Sequence, residues 1–222
     1  MQYLNNAFVQ FFEFLHRNVT LLIPNQNVSY GIAIILMTII IRIIILPLGV
    51  KQLKSSLIMN EIQPEVKKLQ EKYKKDPQRA QQEMMKLYKE KGASPFSGCL
   101  PLLIQWPILI ALYYVFNNLS GINGISFLWI SDLAKRDIFL AILSGITTYL
   151  STYFMMSSNN SEQTAKQTQT MNIGMSGFMI FMSLGFKSAL VLYWVVSNLI
   201  QIAQTLVIKR IGTKKNTSHS KG

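Results

Sequence analysis

The chain has 222 residues, half of them hydrophobic, and a formal charge of +12. Its apolar residues are bunched into long runs, which excludes an ordinary soluble domain and points to a membrane protein. The bases are concentrated in two segments, so the charge does not read as a surface for a specific nucleic-acid sequence.

From the N-terminus, Leu4, Ala7, Phe8, Phe11, Phe12 and Leu15 recur at helical spacing, with Asn5, Asn6, Gln10, Glu13, His16 and Arg17 on the other side. This predicts an amphipathic helix lying on the outer leaflet, followed by a turn at Pro24, over residues 1–27. The segment Met1 to Thr20 has no basic start followed by an unbroken apolar stretch and a small-residue cleavage site, so the N-terminus is expected to be retained.

The first span is predicted over 28–50. A polar insert follows over 51–95 and reads as a cytoplasmic helical hairpin. One helix is expected to begin at Pro64, and the second has Asp76 as N-cap, Pro77 in its first turn and Gly92 after its last. Val66, Leu69 and Tyr73 on one helix, with Ala80, Met84, Leu87 and Tyr88 on the other, form a thin seam, from which mobility is expected.

Four further spans are predicted within 96–208. They are Ser97 to Asn117, Ile138 to Met156, Met171 to Phe186, and Ala189 to Ile208, the third of these four being short and rich in glycine. The lone Cys99 has no partner for an internal disulfide. Trp129 and Phe127 in the loop 118–137 suit a membrane interface. The polar stretch Ser157 to Thr170 reads as a flexible cytoplasmic loop, and 209–222 as a basic cytoplasmic tail. The fold class expected is therefore all-α and polytopic, with five transmembrane helices.

Orientation follows from charge. Residues 51–91 carry eleven Lys and Arg against six acids, and the tail after Ile208 carries five bases and no acid. With five alternating spans both segments face one side, while the other holds Arg17, Lys135, Arg136 and Lys187. The positive-inside rule then puts the N-terminus outside and the C-terminus in the cytoplasm.

Arg42 is the most informative residue, because long apolar flanks keep it from reaching water. An arginine at the centre of a span costs about 2.5–3.5 kcal/mol on insertion scales and nearly always faces a bundle interior or a wet cavity. It remains charged, and none of the predicted spans holds an Asp or Glu to pair with it. A hydrated cavity should draw polar side chains from other spans. The candidates are Thr38 one turn away, Gln105, a face with Ser144, Thr147, Thr148 and Ser151, and a face with Ser197, Asn198, Gln201 and Gln204. The alternative for each is a local role, with Ser and Thr bonding their own helix and Gln linking neighbours.

The sequence has no phosphate-binding Gly-Lys loop, no metal-spaced cluster and no nucleophile with a base, and its two histidines, His16 and His219, lie near the ends. An ATP-driven pump, a metalloprotease and a hydrolase are excluded on that reading, no cofactor is expected, and no inverted transporter repeat is found. A channel or small-solute transporter, and a scaffold for membrane complexes, remain as alternatives.

The run Gly98-Cys99-Leu100-Pro101-Leu102-Leu103-Ile104-Gln105-Trp106-Pro107-Ile108 resembles a conserved span of the YidC family of membrane protein insertases. Arg42 followed by Pro47, Gln63-Pro64-Glu65, and Leu192-Tyr193-Trp194-Val195-Val196-Ser197-Asn198 are similar to the family pattern as well, and the resemblance runs from about Val28 to Arg210. The layout is similar to the five-span Gram-positive type, in a bacterial plasma membrane. Two departures stand out. Lys187-Ser188-Ala189 replaces the common Pro-Ala-Gly, and the lipid-modified Cys of many Gram-positive members is missing.

The resemblance implies an ATP-independent insertase or chaperone that carries out no chemical catalysis. It implies a hydrophilic groove open to the cytoplasm and to lipid and closed to the outside, with Arg42, Thr38, Gln105, Ser144, Thr148, Ser151, Trp194, Ser197, Asn198 and Gln201 as groove candidates. Its partners would be nascent membrane proteins and the bilayer, with first contacts to the ribosome, the signal recognition particle machinery and the Sec translocon.

Overall fold

The computed structural model describes residues 2–94, 100–155 and 162–219, with side chains over 6–94, 105–119, 121–155 and 169–210. It is helical throughout, with α1 (Gln2–Leu22), α2 (Gln26–Lys72), α3 (Pro77–Glu90), α4 (Leu100–Asn118), α5 (Ile138–Met155), α6 (Glu162–Ser183) and α7 (Ser188–His219). Three of these, α2, α5 and α7, are long and apolar enough to cross a membrane. Exposed Ile43, Ile44, Phe139, Phe178, Phe181 and Leu199 give the bundle an apolar exterior, the reverse of a soluble protein. Cys99 and residues 157–161 lie outside the described residues.

The apolar face of α1 packs onto α2 and α4. Phe12 is fully buried, with its ring edge-on to Phe116 of α4 at 5.8 Å between centroids. His16 meets Tyr30 of α2 at 3.7 Å between centroids, and its Nε2 lies 3.1 Å from Ser29 Oγ.

The first predicted span and the first hairpin helix form one 47-residue helix that passes through Pro47 and Pro64. A helix start at Pro64 is thus corrected. Proline removes one backbone donor and usually kinks or breaks a helix. Here Pro64 faces outward, while Ile62 and Val66 on either side of it are buried against Leu87 of α3, so the seam holds the helix on course and the freed carbonyl is left at the exposed face. The second hairpin helix begins and ends as its sequence predicts. Asp76 accepts from Arg79 N–H at 3.1 Å, and Pro77 occupies the first turn. At the other end Gly92 takes φ +65°, Ala93 N–H donates to Tyr88 O at 2.8 Å and Gly92 N–H to Lys89 O at 3.2 Å, a Schellman closure.

Between α4 and α5 the chain packs tightly instead of looping free. Ile122, Ile130 and Leu133 are essentially inaccessible, and a two-residue reversal pairs Phe127 with Ile130 through two bonds of 2.9 Å. Leu128 and Trp129 project at its tip. The first donors of α7 are satisfied by this segment, Ser188 N–H by Lys135 O and Ala189 N–H by Leu133 O, at 2.8 and 3.0 Å. Lys187 donates to Phe116 O near the end of α4 at 2.9 Å. Two boundaries move. Helix α6 begins at Glu162, so residues 162–170 are helical rather than loop, and α7 continues through the basic tail as far as His219.

Candidate functional site

Two halves of the bundle differ in how they are filled. At the α1 end, Ile34, Met37, Leu112, Val115, Phe116, Leu140 and Leu190 make a packed core with exposures of 2% or less. Toward the hairpin the packing gives way to an open cleft of about 60 Å³. Helix α2 contributes Arg42, Ile45, Leu46, Gly49, Gln52 and Leu53 to its walls, and α7 contributes Gln201, Gln204 and Thr205. Gln105 of α4 and Met155 of α5 complete it.

Arg42 enters the cleft at the end nearer the packed core, next to Ile41. Its Nε donates to Ser197 Oγ at 2.7 Å and its Nη2 to Gln201 Oε1 at 3.3 Å. Ser197 and Gln201 are one turn apart on α7, so a single helical face presents both acceptors. Both are neutral, and among the described residues no salt bridge includes Arg42. The charge is held in place without being cancelled. Bonds to an ionised partner are worth about 1.5–3 kcal/mol each, enough to fix the side chain though not to satisfy its remaining donors.

The other expected residues divide. Gln105 reaches the cleft, and its Nε2 donates to Tyr193 Oη at 2.8 Å. Trp194, Thr147, Thr148 and Asn198 form a polar knot between α5 and α7, with Trp194 Nε1 3.1 Å from Thr148 Oγ1 and the Asn198 amide 2.9 and 3.2 Å from the two hydroxyls. With its oxygen turned toward α5, the Asn198 amide accepts from the indole, which can only donate. This knot joins helices and does not line the cleft around Arg42. Ser144, one turn before Thr148 on α5, bonds Ala141 O and meets Ser183 Oγ of α6 at 2.8 Å. Thr38 is fully buried and donates to Ile34 O of its own helix at 2.7 Å. Ser151 is buried outside the lining of the cleft. For Thr38 and Ser144 the local role wins, because a Ser or Thr hydroxyl can reach a carbonyl on the preceding turn of its own helix.

Two residues that sequence reasoning does not single out belong here. Gln52 extends the stripe that runs through 42, 45, 46 and 49, but it stands between Lys51 and Lys54 and so reads as part of the charged insert. Tyr193 lies four residues before Ser197, inside an otherwise apolar motif.

A second, apolar cleft of about 480 Å³ lies beside the first, walled by α4, α6 and α7. Trp106, Tyr113, Met175, Phe178 and Trp194 line it, and Gln105 borders both clefts.

Comparison with known proteins gives a consistent picture. Residues 22–216 match the family described as 60Kd inner membrane protein. The membrane protein insertase YidC of Clostridium tetani is 54% identical over 98% of this chain and 99% of its own length. The membrane protein insertase MisCA of Bacillus subtilis is 43% identical over 87% of this chain and 75% of its own. A crystal structure titled as active YidC insertase with its first transmembrane domain resolved superposes with a TM-score of 0.70 at 32% identity, covering 91% of this chain and 45% of that one. This chain, a multi-pass bacterial membrane protein, belongs to the YidC family of membrane protein insertases.

Proposed function

We propose that this chain inserts nascent membrane proteins by holding a polar segment of the client in the cleft around Arg42. The observation that carries the reading is the uncancelled guanidinium, fixed by Ser197 and Gln201 in a cleft that also presents the amides of Gln105 and Gln204. In hydrocarbon each unsatisfied backbone polar group of a translocating segment costs several kcal/mol. A wet cleft part-way across shortens the dry distance, and Arg42 attracts acidic or carbonyl groups on the segment. The apolar part of the client lies meanwhile along the neighbouring apolar cleft, with Gln105 at the border. Burial of about 20 apolar residues, together with the membrane potential, supplies the drive without nucleotide hydrolysis.

The excess of Lys and Arg in the hairpin and tail supports a cytoplasmic location for both, with α1 outside, one span between α1 and the hairpin and four between the hairpin and the tail. In that orientation the cleft faces the cytoplasm, and the packed half, capped by the segment 119–137, faces out. The hairpin and tail are then placed to meet the ribosome, the targeting machinery or the Sec translocon.

The test is reconstitution into liposomes, scoring protease protection of a one-span client with an acidic outer segment. Arg42→Ala is expected to impair insertion and Arg42→Lys to keep most of it. Normal insertion by the Ala variant would remove the electrostatic role.

A further inference from the structure

We infer that the hairpin-side half of the cleft binds the main chain of the client segment in extended form, through the amides of Gln52 and Gln204. This deepens the insertase reading and rests on it. Gln52 is 9% exposed, its Nε2 is fully covered, and that donor has no hydrogen-bond partner. Native interiors pair nearly all such groups, so an orphan amide bordering a cleft marks a place for a partner from outside the chain. Opposite it, the Gln204 amide lies against α2 at Gly49, where a Cβ would come within 3.2 Å of Gln204 Nε2. The missing side chain at 49 gives that amide its seat.

The chemistry of this half selects the ligand. Arg42 is the one charged residue lining the cleft among the described residues, and it stands at the end nearer the packed core. Beyond it the polar groups are neutral. A primary amide donates and accepts at once, which complements a peptide group whatever its side chain. A carboxylate would go to Arg42 instead. A helical client would have its peptide groups bonded internally and would leave Gln52 unmet.

Helical rise sets the scale. Residues 42 and 52 are separated by about 15 Å along α2, a distance covered by four or five residues of extended chain at about 3.3 Å each, but by ten residues of helix. The polar footprint of the client is therefore short.

The experiment measures that footprint. In a Cys99→Ala background, Ile45→Cys or Leu53→Cys is paired with single cysteines scanned through the outer segment of a one-span client arrested during insertion into liposomes. The expected result is two disulfide maxima displaced by three or four client residues. A displacement of about eight, or no maximum at Leu53→Cys, would overturn the extended mode. In parallel, Gln52→Leu and Gln52→Met are expected to lower insertion of a client with an uncharged outer segment by at least threefold, while the melting temperature in detergent is unchanged. Two variants separate loss of the amide from misfolding of either one. Undiminished insertion by both sinks this inference and leaves the Arg42 reading standing. Failure of the wild-type protein to insert any client refutes both.

Discussion

The guanidinium of Arg42, in the apolar first half of α2, donates through Nε to Ser197 Oγ on α7 at 2.7 Å, although the two residues stand 155 positions apart. Ser197 orients the charge without neutralising it, so its removal should hurt less than removal of the charge itself. Ser197→Ala is expected to lower liposome insertion of a client with an acidic outer segment by a few-fold. Arg42→Ala should lower it about tenfold or more, the scale of a lost charge-assisted bond. Ser197→Thr keeps the hydroxyl and should retain most activity. Equal losses in Ser197→Ala and Arg42→Ala would show that orientation, not charge, is what matters.

Gly31 of α2 faces the ring of Phe127 so closely that a Cβ there would overlap it. Gly31→Ala is expected to destabilise the protein by about 1–3 kcal/mol, the usual cost of overpacking. Denaturation in detergent measures this. Adding Phe127→Ala should recover part of the loss, because the two substitutions share one contact.

Asp76 caps α3 through Arg79 N–H, and the hairpin seam has few buried residues to compensate for its loss. Asp76→Ala should cost about 0.5–2 kcal/mol, confined to the hairpin. Hydrogen exchange is expected to accelerate over residues 77–90 and to stay unchanged in α5. Acceleration throughout would mean that the hairpin is coupled to the bundle.

His16 gives the contact between α1 and α2 a pH dependence. Burial against α2 pushes its imidazole below the ordinary value of 6.5. The unfolded chain then binds the proton more readily than the folded one, so stability rises with pH in this range. The contribution is fully present above pH 6.5 and is lost as pH falls through the lower folded value. An NMR titration should place the His16 midpoint below 6.5, and His16→Phe should flatten the acid limb of the stability profile. A midpoint above 6.5 would reverse the sign.

Much of the helical plan is legible in the chain because it depends on local signals. Asp76, Pro77 and Gly92 bracket α3 through bonds within a few residues of each, and apolar runs locate α2, α5 and α7. Pro64 misleads for the opposite reason. The helix continues through it where Leu87, twenty-three positions away, packs against Ile62 and Val66.

The sequence by itself determined that this is a helical membrane protein with a permanent charge among apolar residues, since hydropathy and helical period are properties of a single segment. Only the tertiary structure decided which polar side chains share a cleft with that charge. Period assigns Thr38, Ser144, Ser197 and Gln52 to faces, but not to neighbours. Thr38 and Ser144 turn back to their own helices, and Ser144 also meets Ser183, whereas Ser197 and Gln201 come to Arg42, and at the other end of the cleft Gln52 Nε2 is left without a partner. A hydrogen bond forms with whatever group packing brings within about 3 Å, and packing is a property of all seven helices together.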